Sequence, residues 1–373
     1  MSFAFERLRR RPDIEAPDLV AVDAADRLIL DESAAVRAGL GAGELVVIGD
    51  AYGALTLAAV HEGATDVRVH QDAVTGELAL AANAVAAGGA GAFRSLPLTA
   101  ELVRGARVVL LRLPRSLDAL ADIADLIAAH AHPDVVVVAG GRVKHMTLSM
   151  NEVLRARFDR LDVSHARQKS RVLTARAPRA DARDPQPRRA VVDGLTVVAY
   201  GGVFAGARLD VGTRLLLRTL PEELPGGTPD DPWIDFACGT GIVATSLALG
   251  HPDAAVHASD TSAAAVASAR ATVAANGVGA RVSVVQDDLL TTRLDASASF
   301  IALNPPFHSG AAVTDRLAPR LFADAGRVLR PGGELWCVWN SPLEYRPVLE
   351  RLVGPTRQVT RNPKFTVTVS LAR

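Results

Sequence analysis

Cysteine, lysine and aromatic residues are all scarce in this chain. Two cysteines, Cys238 and Cys337, in 373 residues exclude a disulfide framework and any four-cysteine zinc site. The nine histidines are scattered, and no cluster with metal-ligand spacing appears, so no metal is expected. Lysine occurs only at 144, 169 and 364, and arginine supplies the other 38 of 41 basic residues. Together with the abundant alanine, this reads as a coding bias rather than a functional demand. The 41 basic residues meet 41 acidic ones, so bulk charge draws no polyanion to the whole chain, and only a local patch could. No apolar run reaches the roughly 18–20 residues of a membrane span. The start, MSFAFERLRRR, lacks the apolar stretch of a secretion signal. What is plentiful is aliphatic: 49% of residues are apolar against 22% charged, enough for large cores and too much for disorder. A soluble, cytoplasmic, monomeric protein of two domains, about 150–190 residues each, is the expectation.

Short apolar runs alternate with helical patterns twice over. In the first half Glu44–Ile48, Asp66–His70, Ala106–Leu111 and Asp134–Ala139 read as buried strands, with helices at Ala54–Glu62, Gly76–Ala87 and Leu117–His130. In the second, strands are expected at Trp233–Phe236, Ala255–Ser259, Arg281–Gln286, Ser299–Leu303 and Gly333–Trp339. Helices are expected there at Ile242–Leu249, Ser262–Ala275 and Asp315–Leu329. Such alternation builds parallel α/β sheets with right-handed crossovers. Between the halves, RAPRADARDPQPRRA holds three prolines and no apolar periodicity, so 177–190 reads as a linker between domains 1–176 and 191–373. Across 155–189, eleven basic residues face four acidic ones. That run is either a solvated linker or a contact for nucleic-acid phosphates, with Arg167, Lys169 and Arg171 as its candidates.

The two halves also echo each other. Gly53 and Gly241 follow the first strand of each, and an acid, Asp72 or Asp260, stands 19 residues further on. Ala82-Asn83 parallels Ala275-Asn276, and Leu113-Pro114 stands roughly where Asn304-Pro305 does. The order suggests a duplicated fold whose first copy has lost its chemistry.

The chemistry concentrates in two segments. In Trp233–Ala244, WIDFACGTGIVA, a buried strand meets a glycine turn and then a helix. Gly239 and Gly241 let a ligand approach the backbone, and the helix start offers free N–H groups. The turn stops short of G-x-G-x-x-G, which counts against a pyrophosphate. Asp260, at the next strand end, is placed for a ribose diol. In Asn304-Pro305-Pro306-Phe307-His308 a strand ends in an amide, two prolines and an aromatic. The prolines remove donors and leave carbonyl acceptors. An Asn carbonyl with a proline carbonyl can accept both hydrogens of a planar amine, and Phe307 can stack on the ring that carries it.

Asp-Phe-Ala-Cys-Gly-Thr-Gly, Asp260, Asn-Pro-Pro-Phe and the Leu329-Arg330-Pro331-Gly332-Gly333 turn together resemble class I S-adenosylmethionine-dependent methyltransferases with a "small" methyltransferase domain. Asn-Pro-Pro-Phe-His, with Gly202-Val203-Phe204 and Leu209-Asp210-Val211-Gly212 upstream, is similar to bacterial ribosomal RNA guanine-N2 methyltransferases. The tail from Val313-Thr314-Asp315 through Asn362-Pro363-Lys364-Phe365 looks nearer their large-subunit type. The resemblance spans Val191–Arg373 closely and the first half in topology and in Ser164–Arg171. One departure is Ala237, where the family often has glycine.

The resemblance implies two tandem Rossmann-like methyltransferase folds, the first degenerate and serving RNA recognition, the second a seven-stranded class I sheet. It further implies that S-adenosylmethionine is held by Asp235, Ala237, Cys238, Gly239 and Gly241 at its methionine end. Asp260 would take the ribose, Thr261 and Asp288 the adenine. Asn304, Pro305, Pro306 and Phe307 would hold the target amine, and Asn304 would also border the cofactor. The segment with Phe204 and Asp210–Thr213 would either close over the cofactor or simply start a helix with Asp210 as its cap. The implied partner is ribosomal RNA. Adenine N6, cytosine N4 or a protein glutamine offers the same planar amine, and a non-catalytic RNA-binding assembly factor is the alternative of a different class.

Overall fold

A parallel strand covered on both faces is apolar along most of its length, and the central strands here are, with polar residues such as Arg112 and Asp235 near their carboxyl ends. The computed structural model describes residues 3–306 and 311–373, without the side chains of 311–315. The chain divides into two compact units, Met1–Gln186 and Pro187–Arg373. Unit 1 runs α1 (Ala24–Arg37), β1 (Leu45–Ile48), α2 (Ala54–His61), β2 (Val67–His70), α3 (Val74–Ala87), β3 (Phe93–Ser95) and α4 (Ala100–Val103). It continues with β4 (Val108–Arg112), α5 (Leu117–His130), β5 (Val136–Arg142), α6 (Leu148–Arg155), β6 (Phe158–Val163) and β7 (Ser170–Pro178). Unit 2 runs β8 (Arg188–Val192), β9 (Leu195–Ala199), α7 (Val211–Thr219), β10 (Trp233–Phe236), α8 (Ile242–Gly250), β11 (Val256–Asp260) and α9 (Ala263–Ala275). Then follow β12 (Val282–Gln286), β13 (Ala298–Leu303), α10 (Ala311–Val328), β14 (Leu329–Asn340), α11 (Arg346–Leu352), β15 (Thr356–Arg361) and β16 (Phe365–Leu371).

The two sheets have the same order, β3-β2-β1-β4-β5-β7-β6 and β12-β11-β10-β13-β14-β16-β15. In each, one strand (β7 or β16) lies antiparallel to both its neighbours. Both are Rossmann-like α/β sheets of seven strands. Side chains alternate between two cores: Val46, Ile48, Val109 and Leu111 pack on one face of the first sheet, Leu45, Val47, Val108 and Leu110 on the other. In the second sheet Phe300 and Ala302 oppose Ile301 and Leu303 in the same way. No helix among the described residues is long and apolar enough to cross a membrane.

Two expectations need correction. The segment 177–190 is not a free linker throughout: β7 continues to Pro178 and β8 opens at Arg188, leaving 179–187 between the strands. Its prolines end the strands instead of marking one long loop. The internal pairing also shifts by a residue. Ile48 faces His70, and Phe236 faces Ser259, so Gln71 stands where Asp260 does, not Asp72. Ile48 faces Leu111 and Phe236 faces Leu303, so Arg112, not Leu113, matches Asn304. The equal spacing of 19 misled because α2 is one residue shorter than α8.

Strand β9 shows how far from standard pairing unit 2 departs. Its outer edge is hydrogen-bonded by a helix rather than a strand. Asn276 exchanges two bonds with the backbone of Thr196, Thr272 exchanges two with Val198, and Ser268 accepts from the Tyr200 N–H. Steps of four on α9 meet steps of two on the strand, because about 6 Å separates the groups in either.

Candidate active site

Strands β10 and β13 are neighbours, yet their crossovers leave in opposite directions along the sheet, which opens a crevice at their carboxyl ends. Around it stand the turn after β10, the end of β11 and the end of β13. The turn Ala237–Gly241 has three residues with positive φ: Ala237 at 59°, Gly239 at 53° and Gly241 at 72°. The two glycines serve different ends. A Cβ on Gly241 would lie 2.8 Å from the Ala269 Cβ, so glycine there lets α8 pack on α9. A Cβ on Gly239 would meet nothing within 4 Å; glycine there leaves open space above the turn. Ala237 occupies the left-handed region and carries the strain of a Cβ there.

Asp260 ties the turn to the next strand. Its Oδ2 accepts from the Gly239 N–H and its Oδ1 from the Ser262 N–H, both at 2.9 Å. Asp235 lies deeper, 3% exposed, and its Oδ2 accepts from the Ala244 N–H at 2.9 Å. Its carboxylate therefore pins the first turn of α8 to the sheet. Burial pushes its pKa up to about 7, the Asp260 charge adding to the rise. Cys238 is buried beside them, and burial raises its thiol well above the ordinary range, so it stays neutral. Thr261 is exposed and its carbonyl accepts from Gln286 Nε2. Asp288 is half-buried, with Arg320 at 4.0 Å. Its neighbour Asp287 is the more buried acid, and is committed to Thr291 and Thr292.

Asn304 is half-buried at the end of β13, with Pro305 buried and Pro306 exposed beyond it. Phe307 lies outside the described residues. The Asn304 Nδ2 donates to Thr213 Oγ1 at 2.9 Å and, more weakly, to Asp210 Oδ2 at 3.4 Å. A threonine hydroxyl would accept or donate, but a carboxylate oxygen only accepts, so the amide must face it with its NH₂ group. Asn304 Oδ1 has no hydrogen-bond partner among the described residues. Asp210 is at once the N-cap of α7, accepting from Gly212 and Thr213 N–H at 2.8 and 3.2 Å. Of the two readings of this segment, the structure shows the cap, and the same carboxylate also meets Asn304.

The tail motif buttresses that element. Asn362 Oδ1 accepts from the Lys364 and Phe365 N–H groups, and this turn sets Phe365 under α7. A Cβ at Gly212 would come within 3.1 Å of the Phe365 ring and 3.0 Å of Asp210 Oδ2. Gly212 is required by that crowding, which no spacing in the sequence announces.

In unit 1 the basic run is mostly spent in ion pairs. Arg157 meets Asp125, Arg160 and Arg176 meet Asp162, Arg179 meets Asp159, and Arg167 meets Asp31 and Glu32. Lys169 and Arg171 have no such partner among the described residues. They lie beside the end of β5, where Val143 N–H donates to the Lys169 carbonyl and Gly141 faces Arg171. Arg142, Lys144 and Arg115 surround His145 there; burial first, then these charges, hold its imidazole below the usual range.

The family models divide the chain in the same way. "Methyltransferase small domain" matches residues 194–369 and "RLMG N-terminal domain" matches 1–179. The chain is 36% identical over 370 residues to ribosomal RNA large subunit methyltransferase G of Streptomyces avermitilis, covering 96% of this chain and 95% of that protein. It is 33% identical to the protein of the same name from Shewanella amazonensis, over 96% and 94% of the two chains. The chain belongs to the ribosomal RNA large subunit methyltransferase G family. Among solved structures, the T. thermophilus 16S rRNA N2 methyltransferase RsmC, in complex with AdoMet and guanosine, aligns at a TM-score of 0.73. That alignment is 22% identical and covers 94% of this chain and 92% of the other, which shows a shared two-unit fold.

Proposed function

We propose that this protein methylates the exocyclic N2 amine of a guanine in large-subunit ribosomal RNA, with S-adenosylmethionine as the methyl donor. The observation that carries the reading is the convergence at one crevice of an open glycine turn, a strand-end carboxylate and an amide whose oxygen is unpaired among the described residues. The residues fit the cofactor. The space above Gly239 admits its methionine end, and the backbone of Ala237–Gly241 with Asp260 at the next strand end suits a nucleoside. Asp235 and Cys238 are both buried; Asp235 holds the start of α8 through the Ala244 N–H, and Cys238 offers the cofactor its backbone within the turn. Thr261 and Asp288 stand on the adenine side, Asp288 as the acceptor for its amine.

The bound cofactor supplies an electrophilic methyl group, so the protein needs positioning more than a strong base. Asn304 Oδ1 and the Pro305 carbonyl accept the two hydrogens of the target amine. With both hydrogens held, the nitrogen lone pair is aimed and unshared. Pro305 and Pro306 stiffen the acceptor geometry, and Phe307 supplies a face for the unstacked base. The proton lost from nitrogen passes to solvent.

RNA affinity is assigned to unit 1. Because Arg167 is engaged with two acids of α1, the phosphate contacts fall to Lys169 and Arg171, with Lys144 beside them. Replacing these three with alanine should flatten the dependence of log affinity on log salt by about 0.7–0.9 per lost contact and leave cofactor affinity unchanged. An unchanged slope returns the segment to a solvated surface.

The reaction is tested by mapping methylated nucleosides in ribosomal RNA from a deletion strain. One N2-methylguanosine of the large subunit should disappear. It should return with the wild-type gene and not with Asn304→Ala. Loss of a methylated adenine or cytosine instead, or no loss at all, overturns the reading.

A further inference from the structure

We infer that Asp210 and Thr213 are positioning residues for Asn304: they hold its amide with the oxygen turned to the substrate amine. This rests on the reaction proposed above. An asparagine side chain presents a donor and an acceptor of nearly equal shape, and only the acceptor can receive an amine hydrogen. At the end of a strand, with nothing to choose between them, the amide would spend part of its time presenting the wrong end. Here both NH₂ hydrogens are claimed, one by Thr213 Oγ1 at 2.9 Å and one by Asp210 Oδ2 at 3.4 Å. Turning the amide over would bring its oxygen against a carboxylate oxygen. Even a weak contact of that sign decides between two orientations.

The same frame recurs in unit 1, which makes it a feature of the fold rather than an accident of one loop. Asp210 and Thr213 are the N-cap and third residue of α7. Asp23 and Asp26 are the N-cap and third residue of α1. Arg112, the counterpart of Asn304, donates to both at 2.7 Å. A helix start therefore grips the fourth strand's terminal side chain in both units. In unit 1 the grip closes on an arginine, a group with no acceptor to offer. In unit 2 it closes on the donor half of an amide and leaves the acceptor half over. Asn362 and Phe365, by fixing Gly212, keep the α7 start at the right height.

The test compares full-length variants that all preserve a helix cap. Asp210→Ser keeps a good cap but is too short to reach Asn304; Asp210→Asn keeps both the cap and an acceptor oxygen. Thr213→Val removes the hydroxyl, and Thr213→Ser restores it. Single-turnover methyl transfer should fall about tenfold in Asp210→Ser and in Thr213→Val, within the hundredfold that a misplaced group can cost. Asp210→Asn and Thr213→Ser should stay within about threefold of wild type, with melting temperature and cofactor affinity preserved throughout. In an Asn304→Ala background, Asp210→Ser should cost nothing further, which a purely structural role would not produce. An equal cost with and without Asn304, or a loss confined to cofactor affinity, overturns the inference. Failure of the reaction itself is read separately. With six asparagines in the chain, the Asn304 NH₂ resonances are assignable in ¹⁵N-asparagine-labelled protein by their absence in Asn304→Ala. They should exchange slowly with solvent in wild type and rapidly in Asp210→Ser, whatever nucleoside is methylated. Equal exchange in the two proteins rejects the inference.

Discussion

The two units carry the same frame and differ at a handful of positions. Both have the strand order 3-2-1-4-5-7-6, and both first turns alternate through positive φ at equivalent places: Gly49, Ala51 and Gly53 at 78°, 58° and 96°, against Ala237, Gly239 and Gly241 at 59°, 53° and 72°. In both, a buried aspartate pins the first turn of the following helix. Asp50 accepts from the Leu55 and Thr56 N–H groups, and Asp235 accepts from Ala244. Yet the open glycine at 239 is Ala51 in unit 1, Asp260 is Gln71, and Asn304 is Arg112. Gln71 has both amide atoms buried without a hydrogen-bond partner among the described residues, and its Oε1 lies 2.1 Å from where a Cβ on Gly76 would be. In unit 1 the strand-end side chain is spent on the protein itself, Arg112 on Asp23 and Asp26. Backbone geometry is thus shared, while the side chains at the three matching positions differ.

The sharpest way to break the comparison is at its active end. Asn304→Ala should lower the single-turnover rate by about 10²–10³, as expected when a charge-developing hydrogen bond is lost. Folding and cofactor affinity should hardly move. A variant that keeps more than about a tenth of the wild-type rate would leave unit 2 without the distinction drawn here. Arg112→Ala should do the reverse. It strands Asp23 and the buried Asp26 without their cation, which should destabilise the protein toward the lower end of about 3–5 kcal/mol. Denaturant unfolding should show that loss, with cofactor affinity unaltered.

Cofactor binding should follow the same division. Calorimetry should find one site per chain. Asp260→Ala should weaken it by about 10–100-fold, the worth of a charged hydrogen bond, while Gln71→Ala should leave it alone. Two sites, or binding indifferent to Asp260, would mean that unit 1 has kept more than its backbone shows.

How much of this could be read from the sequence follows from how local each feature is. Strands β1, β4, β10 and β13 are visible because burial on both faces makes nearly every residue apolar. The glycine turn and Asn-Pro-Pro are visible because their chemistry is contiguous. Strands β6 and β15 are edge strands with mixed, exposed faces, DRLDV and TRQVTR, and look like loops. The partners of Asn304 lie 91 and 94 residues away, so only the folded chain brings them together. The Ser268-Thr272-Asn276 ladder was hidden for a different reason: its four-residue period is helical, but it is polar and inward, where a helix normally turns apolar residues.

Acid should affect the two pinning aspartates alike. Burial is the first cause that pushes Asp50 and Asp235 up to about 7, above the ordinary carboxylate value. Each folded unit therefore holds a proton that the unfolded chain releases between about pH 4 and 7, and stability falls as pH rises through that window. Asp235→Asn keeps an oxygen to accept from Ala244 and removes the charge. Its unfolding free energy should decline less steeply between pH 4 and 7 than that of wild type. Asp50→Asn should flatten the curve to a similar degree. If either substitution leaves the slope untouched, the buried carboxylate is not the group being titrated.

The smallest expected effect exchanges the residues that open the two turns. Ala237 pays for a Cβ in the left-handed region, roughly 1–2 kcal/mol for an ordinary L-residue. Glycine would remove that strain but lose more entropy on folding, about 0.5–1 kcal/mol. Ala237→Gly should therefore gain only about 0.5 kcal/mol. The reverse change at the matching position should not be its mirror image. A Cβ at Gly49 would meet the Arg112 Cβ and carbonyl oxygen at 3.3 Å as well as the unfavourable φ. Gly49→Ala should cost about 1–2 kcal/mol, and more if Arg112 is displaced from Asp23 and Asp26. Thermal unfolding of the two single variants measures the difference. Equal and opposite shifts would show that strain in the turn alone sets the balance. A larger loss at Gly49 would show that the first unit's turn is held against its arginine, where the second unit's turn has open space above Gly239.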